Sequence, residues 1–156
     1  FYIWIRFEWQ FSLGAIVALI HDVIITLGIF SLLSYEINLS IVAAILTIVG
    51  YSMNDTVVIF DRIRENLKKY SKISIAEISN ISTHQTLSRT LITSVTTLLA
   101  LVSIYIFGGA ILKGFSFAMI VGVIIGTYSS IFVAAPVLNY TKVTQKTVLK
   151  ENLKED

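Results

Sequence analysis

The sequence has no cysteine, one proline and few charged residues, and these shortages exclude several classes of protein. Without cysteine there are no disulfides and no thiolate metal sites. The formal net charge of +2 argues against a nucleic-acid binder that depends on a large basic field. P-loop, HExxH and GxSxG motifs are missing, so nothing indicates ATP hydrolysis, a zinc site or a serine nucleophile. We therefore predict a protein that is not an enzyme and has no metal or cofactor.

Apolar residues dominate the chain instead. They make up 55% of the 156 residues, while charged residues make up 14%, against about 25% in soluble domains. Four segments reach the roughly 20 residues that a helix needs to cross a bilayer, and open strands cannot satisfy their backbone in lipid. The sequence therefore predicts an all-α integral membrane protein, a polytopic helix bundle. The predicted spans cover residues 11–33, 37–60, 90–112 and 114–138.

The positive charges indicate how these spans are oriented. Of the twelve lysines and arginines, ten lie in the stretch at Arg6, in a loop over 61–85 and in a tail over 139–156. Arg89 lies at the start of the third span, and Lys113 falls on the opposite side. By the positive-inside rule, the middle loop and the C-terminus are cytoplasmic.

Residues 1–10 and the middle loop have features of their own. The opening FYIWI is apolar but too short to span a bilayer, so we interpret 1–10 as the end of a truncated span and a short cytoplasmic link. In the loop, Ser74 and Glu77 have the form of a capping box, which predicts a helix start near Ile75. We interpret 61–85 as an extension of the second span followed by a short interfacial helix, with a docking surface for a partner as the alternative.

Two opposite charges lie inside the predicted spans, where ionisable residues are functional candidates. At ~1.5 Å of rise per residue, Asp55 lies roughly 8 Å inside the second span and Arg89 roughly 6 Å inside the third. Both are counted from the cytoplasmic side, so they lie at comparable depth on consecutive helices. An ion pair between them is geometrically reasonable.

Such a pair suggests proton coupling. Desolvation favours the neutral form of a carboxyl, a guanidinium favours the ionised form, and arginine itself does not titrate. Movement of Arg89 relative to Asp55 would therefore bind or release a proton. The spacing leaves open that Arg89 snorkels to the interface and that the pair is structural. A supporting polar lining, able to hold a file of water, is predicted from Asn54, Thr93, Thr96 and Asp22.

Asp22 lies deeper, roughly 16 Å from the start of the first span. It shares a helix face with Gly14, Ala18 and Thr26, so we expect it to face the bundle. His21 lies about 100° around the helix, off that face, and is interpreted as a hydrogen-bonded helix contact. Asp22 either accepts hydrogen bonds from hydroxyls, such as those of the third span, or forms a second proton site. The sequence leaves both roles open.

The last span carries a small residue at every fourth position. Such a row lets another helix approach closely, so we interpret it as a helix-packing seam and not as a ligand site. The seam consists of Gly114, Ala118, Gly122, Gly126, Ser130 and Ala134.

Five stretches point to a known family. They read, in order, RFEW, ALIHDVIITLG, GYSMNDTVVIFDRIREN, QTLSRTLITS and FGGAILKGFSF. This pattern resembles the SecD/SecF family of protein-export membrane subunits, within the RND superfamily. The NDT and FDRIREN motifs favour the SecF branch, and the resemblance covers essentially the whole chain.

The resemblance implies the C-terminal transmembrane portion of an RND-type half, with four full spans and the end of a fifth. It implies a multi-pass subunit of the bacterial cytoplasmic (inner) membrane that works with SecD and the SecYEG channel to move preproteins. The driving force would be a proton gradient, or sodium in some relatives. The family's proton-coupling aspartate corresponds to Asp55, and its arginine to Arg89. A first span and a periplasmic domain of the family are missing, which suggests a fragment or partial gene.

Two other functions stay open. A proton-coupled small-solute exporter of the RND type would need a substrate cavity, for which the sequence gives no sign. A purely structural membrane subunit would use the seam as its main feature and would tolerate changes at the charged pair.

Overall fold

The computed structural model describes residues 9–70, 72–141 and 143–144, and the regular structure in these ranges is all helical. The helices are α1 (Trp9–Leu32), α2 (Leu39–Lys69), α3 (Ile75–Phe107), α4 (Gly109–Ser129), a π-helical turn (Ser130–Ala134) and α5 (Ala135–Tyr140). By length and composition, four helical stretches of the described chain can cross a membrane, with the last running from Gly109 to Tyr140. The predicted all-α membrane fold is therefore confirmed. The interpretation of residues 1–8 and of most of the tail 139–156 lies outside the described residues.

Helices α2 and α3 extend beyond the predicted spans at the end where they join. Their 31 and 33 residues correspond to about 46 and 50 Å of helix, against a ~30 Å hydrocarbon core. The residues drawn as a loop over 61–85 are therefore mostly helix, and the connection is reduced to 70–74. The predicted start at Ile75 is confirmed, because the Ser74 hydroxyl accepts a hydrogen bond from the Glu77 N–H at 3.3 Å. The expected short helix is the first part of α3.

A buried amide fastens these two extensions together. Asn66 on α2 donates through Nδ2 to the Ser82 hydroxyl at 2.8 Å and to Gln85 Oε1 at 3.0 Å on α3. Apolar side chains at Ile63 and Ile78 are also fully buried there. The extended pair is thus a packed helical hairpin beyond the span.

At the opposite end the helices are joined by short turns. Helix α3 ends at Phe107, before residue 112, because Gly108 caps it and Gly109 adopts a φ of 74°, a conformation that favours glycine. Lys113 consequently lies in α4. Helix α2 begins after Asn38, whose side chain accepts from the Ile41 N–H at 3.1 Å.

The bundle has two apolar layers with a polar belt between them. Along each spanning helix, most of the buried polar residues fall in sequence between the members of the two layers, and Gln10, Asn66 and Ser116 are the exceptions. The layer nearer the 70–74 connection includes Phe11, Ala15, Ala18, Ile59, Phe60, Ile63, Leu67, Ile78, Ala134 and Leu138. The layer nearer the opposite end contains Phe30, Ile41, Ala44, Ile48, Leu101, Ala118, Met119 and Val123. The polar belt consists of Asp22, Thr26, Ser52, Asp55, Thr56, Thr90, Ser94, Ser129 and Ser130.

The π-helical turn has a local cause in the only proline of the sequence. Pro136 has no N–H, and its ring conflicts with the carbonyl four residues earlier, so a regular helix cannot continue unchanged through this position. The turn shifts the helical register. Ser129 and Ser130, where the turn begins, are both buried.

Candidate functional site

Asp55 and Arg89 are placed differently although they lie on neighbouring helices. Asp55, on α2, is 4% exposed. Arg89, on α3, has an exposed side chain. Arg89 is close enough to act electrostatically on the Asp55 carboxyl. The sequence therefore located two charges that influence one another, one inside the bundle and one on its surface.

The two charges do not form the ion pair that the spacing suggested. Among the described residues, no nitrogen of Arg89 lies within 4.0 Å of a carboxyl oxygen of Asp55. Asp55 Oδ2 is shielded from solvent and has no hydrogen-bond partner in the described chain. The physical reason is that Arg89 lies on the outer face of α3 while Asp55 is buried. Asp55 is thus left as a buried carboxyl without a partner.

The predicted polar lining lies mainly on the same outer face. Asn54 and Thr96 are exposed and Thr93 is half-buried. The Thr93 hydroxyl donates to the carbonyls of Arg89 and Thr90, each at 2.9 Å, and Thr96 likewise bonds to carbonyls of its own helix. These hydroxyls do not reach Asp55. In this chain the lining is an open surface and not an enclosed conduit.

Sequence reasoning missed a second row of hydroxyls on the inner face of α3. These side chains recur every fourth residue and are buried: Ser82, Thr86, Thr90 and Ser94. The i, i+4 spacing of hydroxyl residues was the signal for it. Thr90 Oγ1, like Asp55 Oδ2, is buried and has no hydrogen-bond partner in the described chain. Two unpartnered polar atoms therefore lie in the same polar belt, on adjacent helices.

Further along this row, the hydroxyls are connected. Ser94 and Thr127 of α4 lie 2.7 Å apart, and the Tyr51 hydroxyl of α2 donates to Ser94 at 3.4 Å. The contact between Tyr51 and Ser94 sets the register of α2 against α3. In an antiparallel pair with this register, Asp55 lies level with Thr90.

Asp22 has the opposite surroundings to Asp55. It is 1% exposed, and its Oδ2 accepts hydrogen bonds from the hydroxyls of Ser52 at 2.5 Å and Ser129 at 2.8 Å. The hydroxyls come from α2 and α4, so the expectation that α3 would supply them is wrong. His21 Nδ1 lies 3.1 Å from Asp22 Oδ1, in agreement with the interpretation of His21 as a hydrogen-bonded contact. A histidine side chain is long enough to turn back onto the residue beside it.

The small-residue row of α4 packs against α2 at the level of this carboxyl. A Cβ at Gly122 would overlap the side chain of Ile48, and one at Gly126 would lie 3.1 Å from Ser52 Cβ. Ala118 and Ser130 are also buried. Gly114 is half-buried and has open space at its Cβ position. The close approach at Gly126 holds Ser52 near Asp22.

No group of three or more histidine, aspartate or glutamate side chains could hold a metal ion in the part of the chain that the structure describes. The polar belt instead offers carboxyl and hydroxyl groups. These can bind, hold or pass a proton.

The comparisons with known proteins agree on one family. Residues 1–144 match the family model described as protein export membrane protein SecD/SecF, C-terminal. Proteins named protein translocase subunit SecF are 64% identical over 143 residues in Rhodothermus marinus, 55% over 139 in Cereibacter sphaeroides and 56% over 137 in Rickettsia rickettsii. These alignments cover 88%, 89% and 88% of this chain but 46%, 43% and 44% of those relatives. The chain thus spans less than half of their length.

A solved structure has the same arrangement of helices. It is titled "Crystal structure of SecDF in Super-membrane-facing form" and superposes with a TM-score of 0.86 at 44% sequence identity. The superposition covers 98% of this chain and 21% of that one.

Proposed function

Because this chain belongs to the C-terminal SecD/SecF family of protein-export membrane proteins, we propose that it forms the membrane part of a SecF-type translocase subunit. The subunit couples an ion gradient to the movement of preproteins across the bacterial inner membrane. Its SecD partner, the SecYEG channel and the translocating preprotein are parts of this proposal. The coupling ion is a proton, with sodium as the alternative that the experiment below distinguishes. The 70–74 connection and the C-terminus are cytoplasmic.

The observation that carries the proposal is the unpartnered carboxyl of Asp55. Buried polar groups in folded proteins are almost always hydrogen-bonded, and an exception needs an explanation such as a missing water, ion or partner. Asp55 Oδ2 has no partner in the described chain, and Thr90 Oγ1 on the adjacent helix has none either. A water or a partner group between the two helices would satisfy these atoms.

The outer face of α3 supports a protein partner next to this carboxyl. A charged side chain at membrane depth is costly in lipid and normally lies against protein or water. Arg89 and Thr96 are exposed on this face together with Ile92 and Leu99. The similar structure is titled SecDF, so a SecD-type subunit is the partner that we propose for the face. The polar lining would then be enclosed between the two subunits.

The proposed cycle needs no covalent chemistry. When Asp55 takes up a proton, its attraction for Arg89 is lost and the arginine is free to turn to the partner or to the interface. When the proton leaves, the charge on Asp55 draws Arg89 back. Because Arg89 keeps its charge throughout, its movement follows the state of Asp55. Helix α3 transmits this movement to the hairpin beyond the span.

Asp55→Asn tests the proposal in vesicles that contain the protein, its SecD and SecYEG. The variant has a near-isosteric side chain that cannot ionise, so we expect the gradient-dependent part of preprotein export to fall to the level of vesicles without the subunit. Export is measured as protease-protected preprotein with the proton gradient intact and collapsed. A sodium gradient applied to the same vesicles identifies the ion.

Glu77→Gln is the matched control, because it removes an exposed carboxyl from α3 outside the span. It should export like the unmodified protein. The amount of Asp55→Asn protein in the membrane and its association with SecD should also be unchanged. Normal gradient-dependent export by Asp55→Asn would overturn the proposal.

A further inference from the structure

Asp22 is a buried carboxyl that the proposed cycle does not use. It lies in the polar belt between three helices, with Ser52 of α2 and Ser129 of α4 both donating to Oδ2. Its other oxygen lies 3.1 Å from His21 Nδ1. The Thr26 hydroxyl donates to the Asp22 backbone carbonyl and makes no hydrogen bond to the carboxyl. Within the described chain, the carboxyl therefore has three side-chain neighbours.

The hydrogen bonds of Ser129 allow this carboxyl to exist in two protonation states. A serine hydroxyl has one hydrogen to donate and two lone pairs that accept. The Ser129 hydroxyl has two acceptors in reach, Asp22 Oδ2 at 2.8 Å and the Gly126 carbonyl at 3.2 Å. With Asp22 ionised, Ser129 donates to the carboxylate. With Asp22 protonated on Oδ2, the carboxylic acid donates to the Ser129 oxygen and Ser129 donates to Gly126.

We propose that Asp22 is a proton-binding site in its own right, held between α1, α2 and α4 and separate from Asp55. Uptake of a proton converts the carboxylate to a carboxylic acid and rotates one hydroxyl, and every polar atom keeps a partner in both states. The packing of the three helices is retained.

The other titratable groups around Asp22 are few. On its own helix, His21 contacts it, and the 29% exposed side chain of His21 connects the buried carboxyl to the surface of the bundle. On α2, Asp55 follows Ser52 by three residues and has no hydrogen bond to Asp22. On α2, Tyr51 bonds to Ser94 instead. On α4, the titratable side chains are Lys113 and Tyr128, and both are exposed. Proton exchange at Asp22 therefore couples most directly to His21.

This proposal concerns proton binding and does not rest on the proposed export function. It is tested by infrared spectroscopy of the purified protein in lipid vesicles, which detects the carbonyl stretch of a protonated carboxylic acid. Asp55→Asn serves as the background, so that the second buried carboxyl is absent. The other carboxyls of the chain give bands in both proteins, so the signal is the difference between proteins with and without Asp22→Asn. We expect this difference to be a protonated-carboxyl band that appears as the pH falls and shifts in heavy water. A band that is absent at every pH, or constant at every pH, would overturn the proposal.

Ser129→Ala keeps the test decisive if Asp22→Asn fails to fold. The Ser129 hydroxyl is a partner of the carboxyl in both protonation states, so its removal should change the pH dependence of the band. Ser116→Ala is the matched control, because Ser116 is a buried serine of α4 that bonds to the carbonyls of its own helix. The pH dependence of the band should be unchanged in this variant. An equal pH dependence in the two variants would overturn the assignment to Asp22.

His21→Gln tests the role of the imidazole that contacts the carboxyl. Glutamine can donate to Asp22 Oδ1 but does not titrate, so the carboxyl band should persist and change in a single step. Loss of the pH dependence in this variant would assign the titration to His21 and would contradict the proposal.

Discussion

The bundle contains two buried carboxyls with contrasting surroundings. Asp22 accepts two hydroxyl hydrogen bonds from two other helices and has an imidazole beside it. Asp55 has no hydrogen-bond partner in the described chain and lies next to a face where Arg89 is exposed. Both are at least 96% buried, so depth alone does not separate them.

The difference shows which site is complete within this chain. A buried polar group that keeps its partners adds to the stability of a fold, whereas one without partners costs free energy unless something outside supplies them. The Asp22 site is built by α1, α2 and α4 together. The Asp55 site is open towards α3 and its outer face. Within the described chain, the Asp22 carboxyl therefore has its hydrogen-bond partners, and the Asp55 carboxyl does not.

The largest difference between the two sites is expected in the free energy of unfolding when each aspartate is replaced by leucine. Asp22→Leu removes the acceptor of two hydrogen bonds, and we expect the free energy of unfolding to fall by about 3 kcal/mol. Asp55→Leu removes no hydrogen bond, so we expect stability to stay the same or to rise by up to about 1 kcal/mol. The free energies are measured by unfolding the purified protein in mixed micelles with a denaturing detergent.

The same two leucine variants should show the opposite order in their effect on gradient-dependent export. Asp55→Leu should lose gradient-dependent export although it is stably folded. A large loss of stability in Asp55→Leu would mean that its carboxyl has partners in the folded protein, and the contrast between the sites would then fail.

A smaller effect is expected at the glycine that holds Ser52 beside Asp22. In Gly126→Ala, the new Cβ would lie 3.1 Å from Ser52 Cβ and 3.3 Å from Ser52 Oγ, so α2 and α4 must move apart. Gly114→Ala is the matched control, because its Cβ meets nothing within 4 Å. We expect Gly126→Ala to be less stable than Gly114→Ala by about 2 kcal/mol, since overpacking is added to a common gain in helix propensity. Equal unfolding free energies for the two variants would show that α2 and α4 are not tightly packed at Gly126.

Much of the fold could be predicted because each span has a long apolar run. The extension of the second span was predicted, but the helix from Ile75 was expected to be short and separate, whereas it runs on into the third span. The true start at Ile75 was predictable from the capping box. The end of α3 at Phe107 depends on Gly109, whose conformation a hydropathy pattern does not reveal.

The sequence was enough to identify the charged residues of the site but not most of the contacts that they make. A charge in an apolar run is easy to locate, so Asp22, Asp55 and Arg89 were all identified. Their partners depend on how each helix is rotated, and a rotation of part of a turn moves Arg89 from the interior to the surface. Ser129 was missed because it lies off the four-residue row of α4. It follows the buried Gly126 by three residues, and this i, i+3 spacing was the available signal.

The smallest effect is expected from removing one polar-belt hydroxyl that has a partner and, separately, one that has none. Thr56 lies 3.0 Å from the Ser130 hydroxyl in the satisfied part of the polar belt, whereas Thr90 Oγ1 has no partner in the described chain. Thr56→Val should therefore lower the free energy of unfolding by about 1 kcal/mol, the net value of one hydrogen bond. Thr90→Val should leave it unchanged or raise it slightly, because the hydroxyl that it removes is already unsatisfied.

The two valine variants are compared first in the protein alone and then in its complex with SecD. If a bound water or a partner group satisfies Thr90 in the complex, Thr90→Val should become destabilising there, and Thr56→Val should cost the same in both. Equal costs for the two variants in the protein alone would show that the polar belt is satisfied throughout, and Asp55 would then no longer differ from Asp22.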